Sequence, residues 1–198
     1  MTEGDFIRVE TFPEPEISRK EIIRYAGGGE DSGELSALID SCLSEALPVL
    51  SYKVCYRSFS FAETEQWLDF GFAKIKSDSL AKNLKGCDRI LLFAATVGIG
   101  IDRLIKKYGR ISPARALIMH SIGAERIEAL CDAFCSELQD KGLAPRPRFS
   151  PGYGDLSIEF QKDIFATLDC HRKMGLTLSS SLLMSPTKSV TAIIGIGG

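Results

Sequence analysis

Arg89-Ile90-Leu91-Leu92-Phe93-Ala94-Ala95-Thr96 decides the fold. An apolar run this unbroken has no polar face to turn to water, so it predicts a strand buried on both sides at the centre of a sheet. It leads through Val97-Gly98-Ile99-Gly100 into a helix carrying Ile101, Leu104 and Ile105. Phosphates often bind where a strand passes through glycines into a helix. Here Arg103 stands where a dinucleotide fingerprint has its third glycine, so a tight structural turn is the expectation and ligand contact the lesser reading.

Upstream, Phe6, Ile7, Val9 and Phe12 alternate with polar residues and end at Pro13 and Pro15, which predicts a short strand or arm. Ser18-Arg19-Lys20-Glu21 is a capping-box pattern opening a short helix that Gly27-Gly28-Gly29 must end. Leu35, Leu38, Ile39, Cys42, Leu43 and Ala46 recur at helical spacing over 34–47. Tyr52, Val54 and Tyr56 alternate with Lys53 and Arg57 as in a half-buried strand over 50–61. Residues 68–72 read as a further strand, its candidate hairpin partner, and 73–85 as a short helix.

Downstream, Ser112-Pro113 opens a long helix to about Lys141. Its apolar stripe holds Ala116, Leu117, Met119, Ile122, Ile127, Leu130 and Phe134, with His120 at the border. Glu125, Glu128, Asp132 and Glu137 form an acidic side that is expected to be mostly solvated. Ser157 caps a further long helix to about Gly175. Residues 176–178 and 189–194 have strand character, with a serine-rich loop between them. Strands and helices mix without strict alternation, so the class is α+β: a central, mainly antiparallel sheet with long flanking helices. The expected organisation is one domain over 1–198, with 1–50 as an N-terminal helical arm.

A hydrophobic content of 44% and a charged content of 25% are ordinary for a globular protein. A net charge of −2 gives no reason to expect nucleic-acid binding. No apolar run reaches the ~18 residues of a membrane span, and the N-terminus lacks the apolar core of a secretory signal. A cytoplasmic location is the expectation. The six cysteines form no CxxC pair, and Cys131 and Cys135, four apart on the long helix, fall short of zinc-site spacing. Buried free thiols are expected, with no metal site and no catalytic nucleophile.

Arg146-Pro147-Arg148-Phe149-Ser150-Pro151-Gly152-Tyr153-Gly154-Asp155 stands apart. Its prolines and Pro145 fix φ and remove donors, predicting extended chain. Gly152 and Gly154 let the backbone turn beside Tyr153. Composition alone reads the segment as a surface connector. Its chemistry also suits a ligand loop, with Arg148 a planar donor for a carboxylate or phosphate and Tyr153 a flat face.

Arg148-Phe149-Ser150-Pro151-Gly152-Tyr153 resembles the arginine-x-small-proline-glycine-tyrosine loop of the activation (reactivation) domain of cobalamin-dependent methionine synthase. The resemblance continues, in order, through Met174-Gly175-Leu176-Thr177-Leu178-Ser179-Ser180-Ser181 and Met184-x-Pro186-x-x-Ser189-Val190. Ile127-Glu128-Ala129-Leu130-x-Asp132 is similar to that family's helix before the loop. The sequence departs from the family in carrying Ile193-Ile194 where an aromatic residue stands in the last matching strand.

The resemblance implies a methionine synthase activation domain-like α+β fold that binds S-adenosylmethionine. It implies that the methyl donor serves to remethylate cob(II)alamin, with an electron from a flavodoxin-like donor. By position, Arg148 would pair with the ligand carboxylate, Ser150 would give backbone contacts, and Gly152 and Tyr153 would line the site. Glu128 and Asp132 are second-tier candidates. Such a domain needs no nucleophile of its own, because the cofactor carries the chemistry and the protein positions the donor. With no segment for homocysteine, folate or cobalamin modules, the chain is expected to be a stand-alone partner of a separate cobalamin-binding methionine synthase or other corrinoid protein. It would then be part of a methyltransferase system and not a complete enzyme. The alternatives are a docking module that caps a corrinoid protein without using S-adenosylmethionine, and an unrelated metabolite-binding domain.

Overall fold

The structure is a computed structural model describing residues 6–29, 32–64 and 66–197. The chain runs through β1 (Arg8–Thr11), α1 (Arg19–Tyr25), α2 (Gly33–Ala46) and β2 (Lys53–Ser60), then the short strands β3 (Ala62–Glu63), β4 (Leu68–Asp69) and β5 (Lys74–Ile75). Next come α3 (Asp78–Leu84), β6 (Cys87–Thr96), α4 (Gly100–Tyr108), the 28-residue α5 (Pro113–Asp140) and β7 (Ala144–Pro145). The last part holds α6 (Gln161–Thr167), α7 (Cys170–Met174), β8 (Thr177–Leu178), β9 (Met184–Ser185) and β10 (Ser189–Gly197).

Five strands form one antiparallel sheet in the order β1-β2-β6-β10-β7. The class is α+β, and β6 is central, as its unbroken apolarity requires. Alternation divides its side chains between two cores. Leu91, Phe93 and Ala95 face the core shared with α1, α2, α4 and α5. Ile90, Leu92 and Ala94 face the one shared with α3, α6, α7 and Phe70. Both partners of β6 follow its register, with Tyr56 and Ala192 each opposite Phe93. Among the described residues, no helix is long and apolar enough to cross a membrane.

The turn after β6 is packed solid. A Cβ on Gly100 would lie 2.1 Å from the Val49 carbonyl oxygen, and one on Gly98, at φ +83°, would lie 2.5 Å from Ser51 Oγ. Close approach of the Val49 backbone accounts for Gly100, and the left-handed turn beside Ser51 for Gly98.

Four expectations need correction. The helix expected over 157–175 is broken, because Asp169 takes a left-handed conformation (φ 49°) and separates α6 from α7. Residues 68–72 do not pair with β2; β4 joins β3 and β5 in a separate three-stranded sheet. That sheet takes up Lys74–Ile75, so α3 begins only at Asp78. On α5, Leu117 and His120 are exposed, whereas Glu125 is buried. Packing against α1, α2, α4 and the sheet buries the middle of α5 nearly all round, which a single amphipathic stripe does not foresee.

Candidate functional site

Residues 144–149 are an edge strand along β10 and not a free connector. Arg146 N–H donates to the Gly195 carbonyl at 2.8 Å, and Phe149 and Ile193 exchange both backbone hydrogen bonds at 2.9 Å. Pro145 and Pro147, which lack a donor, suit the open edge where no N–H is needed. Alternation then sends neighbouring side chains opposite ways. Phe149 enters the second core, while Arg148 reaches α5.

There Arg148 Nη2 lies 2.8 Å from Glu128 Oε2 and 3.1 Å from Asp132 Oδ1. Spaced four apart, the two carboxylates share one face of α5. Arg148 is largely buried, and its Nη1 has no hydrogen-bond partner. Burial works against the guanidinium charge, but the thiol of Cys131 and the two carboxylates raise its pKa above the ordinary value, so the charge is secure. The same burial pushes the Cys131 thiol up to about 12, which makes it an inert packing group.

Glu128 and Asp132 also line a groove of about 530 Å³ between α5 and the segment entering α1. Its other walls include Glu16, Ser18, Glu21, Tyr25 and Glu125. Across Asp132, Arg148 lines a second hollow of about 440 Å³ with Cys135, Gln139 and Arg146. Sequence reasoning missed the contribution of 15–25 altogether. The acidic face of α5 was its only local signal, and what faces that acid is settled by tertiary contact.

The remaining loop residues build a turn. Tyr153 N–H donates to the Ser150 carbonyl at 3.1 Å, and Gly152 N–H to that of Leu156 at 2.8 Å. Gly152 sits at φ +87°, with Ile158 filling the space beside it. Tyr153 is 70% exposed and meets Phe149 edge-on at 5.5 Å. The structure thus brings together Arg148, Glu128 and Asp132, and holds Ser150, Gly152 and Tyr153 in the adjoining turn. The aromatic ring lining the acidic groove is Tyr25.

Asp155 ties this turn to α3. Its carboxylate accepts from Ser77 Oγ at 2.5 Å, Asp78 N–H at 2.8 Å and Ser79 N–H at 3.2 Å, satisfying donors that the helix start leaves unpaired. The Ser77 hydroxyl and then the two amides hold its pKa at about 2, against roughly 3.9 in an unfolded chain. A depressed carboxyl pKa contributes stability that is present above the unfolded value and is lost as pH falls through the folded one. Asp155→Asn is therefore expected to lower the melting temperature at neutral pH by about 2–4 °C, the usual size of a lost helix cap in a chain this long. The gap between wild type and variant should close between about pH 4 and pH 2. A gap unchanged across a pH series of thermal melts would contradict this assignment.

No protein-family model matches the sequence, and no curated protein does. Among solved structures, the chain is similar to one described as "Crystal Structure of the MetH Reactivation Domain bound to AdoHcy". The TM-score is 0.69 and the identity 14%, over 96% of this chain and 78% of that one. At that identity the likeness is one of fold. It agrees with the class read from the sequence and with the antiparallel order found here: this chain folds as the MetH reactivation domain does.

Proposed function

We propose that the chain binds S-adenosylmethionine along the groove beside Arg148 and supports reductive remethylation of cob(II)alamin on a separate corrinoid protein. The observation that carries this reading is the half-used guanidinium: Nη2 is fixed by Glu128 and Asp132, while Nη1 is buried without a partner. An orphaned buried donor on a charged group is costly, and a ligand carboxylate would satisfy it. The two carboxylates that orient Arg148 are also acceptors for a ligand ammonium, so the trio suits the zwitterionic end of an amino acid. Glu21 and Glu125 in the groove wall are paired with Arg24 and Arg126, so the carboxylates of Glu128 and Asp132 are the ones that would meet a ligand ammonium. Tyr25, one face of which is covered by the Arg24 guanidinium at 4.3 Å, has its other face for a sulfonium or an adenine. The solved structure with the same fold is described as bound to AdoHcy, which supports the reading.

When bound, S-adenosylmethionine would supply the methyl group, and the electron would come from a flavodoxin-like donor. The chain's own part would be to bind and orient. Arg148 would hold the carboxylate, Glu128 and Asp132 would fix the guanidinium and take the ammonium, and the Ser150–Tyr153 turn would frame the loop. A cytoplasmic site of action is part of the same proposal.

Isothermal titration with S-adenosylmethionine tests the binding. Heat is expected with the wild type, and Arg148→Ala should weaken the affinity by at least about tenfold, since a charge-assisted hydrogen bond contributes about 1.5–3 kcal/mol. No heat with the wild type, or equal heat with the variant, counts against it. Pull-down of a methionine synthase cobalamin domain that succeeds while titration stays silent would instead favour the docking module without the ligand.

A further inference from the structure

The two edges of the central sheet differ. At the β7 edge, Pro145 and Pro147 have no N–H to offer a further strand. At the β1 edge, no proline stands between Phe6 and Phe12. Phe12 N–H donates to the Tyr52 carbonyl at 2.9 Å and continues the β1–β2 register, so the even-numbered residues bond to β2. The N–H and C=O groups of Val9 and Thr11 therefore point away from the sheet, and none of the described residues bonds to them. Val9 is 42% exposed, and Phe6, just before the strand, 61%.

The side chains along this edge are their own complement. When two β1 strands pair antiparallel, the outward-facing odd-numbered residues meet if the twofold axis lies at Arg8, Val9 or Glu10, and further shifts pair less of the strand. An axis at Arg8 sets that residue against its own copy, and an axis at Glu10 does the same there. Like charges directly opposite are destabilising. An axis at Val9 sets each Arg8 opposite a Glu10 and brings the two exposed valines together. It also sets Phe6 of one copy opposite Phe12 of the other. Neither charge has to be unspent for this: Arg8 is engaged within its own chain, and Glu10 accepts from the Tyr56 hydroxyl at 2.6 Å. Only the signs that face each other decide the register.

We propose that β1 is the joint of a symmetric homodimer, with the β1 strands of two copies paired antiparallel about an axis at Val9 and their sheets joined into one. A second copy supplies both halves of the charge pattern in the order the pairing needs, and it covers Val9 and Phe6 at the same time. Strand addition of this kind draws its affinity from main-chain hydrogen bonds and its register from the side chains. β1 has four residues, so the joint falls well short of a standard interface and the dimer is weak and concentration-dependent.

The test is sedimentation equilibrium of the full chain over a concentration series reaching about 1 mM. A reversible monomer–dimer equilibrium is expected. Val9→Pro removes an N–H that the β1–β2 ladder does not use, so the monomer should keep its fold, which a thermal melt at low concentration checks. Dimerisation should weaken at least about tenfold, because the twofold axis loses both central hydrogen bonds at once. Glu10→Arg should weaken the dimer several-fold by opposing two pairs of like charges, and the double variant Arg8→Glu/Glu10→Arg, which exchanges the signs, should restore it. A chain that stays monomeric throughout, a dimer unaffected by Val9→Pro, or a charge exchange that restores nothing overturns the proposal.

Discussion

Arg126→Ala is expected to destabilise the protein by about 3–5 kcal/mol in urea unfolding, the range for breaking a buried ion pair by removing one partner. Arg126 is 0% exposed and Glu125 3%. Arg126 Nε and Nη2 each lie 2.5 Å from a Glu125 oxygen. Nη1 and Nη2 also donate at 2.6 Å to the carbonyls of Pro15 and Glu16, and Glu125 Oε1 accepts from Ser18 N–H at 2.9 Å. Burial alone would depress the guanidinium pKa, and Glu125 more than offsets it, so Arg126 stays charged. Deleting it leaves a buried carboxylate and two backbone carbonyls without their donor.

The double variant Glu125→Gln/Arg126→Met separates the pair from its backbone role. Many buried pairs are replaced by apolar residues at little cost. Here Met cannot donate to Pro15 and Glu16, so the double variant should recover only part of the loss. Full recovery would mean that the pair has no role in holding 15–18. That segment is also a wall of the groove beside Glu128, so Arg126→Ala should weaken S-adenosylmethionine binding as well. By contrast, Arg19–Asp40, at 32% and 65% side-chain exposure, is a surface pair whose loss should cost about 0–1 kcal/mol.

Phe134→Ala is expected to cost a further ~3–5 kcal/mol by the same measurement, through a different mechanism. Phe134 is 1% exposed, and its ring meets Tyr56 at 5.0 Å, Phe93 at 5.4 Å and Phe12 at 6.2 Å. Tyr56 and Phe93 are paired residues of adjacent strands, so the sheet holds them in place and the cavity left by the ring cannot collapse. Phe134→Leu, which removes less volume, should cost clearly less. Similar losses for both variants would show that the site relaxes and would undercut the cavity argument. The sites of Arg126 and Phe134 lie two turns apart on α5 without a shared partner, so their effects should add.

Much of the fold was legible from one property of the sequence, hydrophobic period. The run from Arg89 to Thr96 had no polar face and became the central strand. Ser112-Pro113 opened α5 as capping chemistry requires, with Ser112 Oγ accepting from Arg115 N–H at 3.4 Å. These signals are local, and burial cannot be satisfied in any other way. What failed depended on single backbone choices. The helix over 157–175 broke at Asp169, where no glycine or proline marks the left-handed residue. β4 left β2 because hairpin pairing is decided by competing edges.

The candidate site divides along the same line. The sequence by itself determined that Arg148 lies in extended chain beside a turn, and that Glu128 and Asp132 share a helix face. Only the tertiary structure decided that these three meet, because the partners are joined through β10, far along the chain from α5. Ser18 shows the reason most plainly. Its capping box predicts a local partner in Glu21, yet Glu21 pairs with Arg24, and the Ser18 N–H is taken by Glu125, 107 residues away. A sequence states which groups need partners; which partner each one gets depends on what packing brings within hydrogen-bond reach.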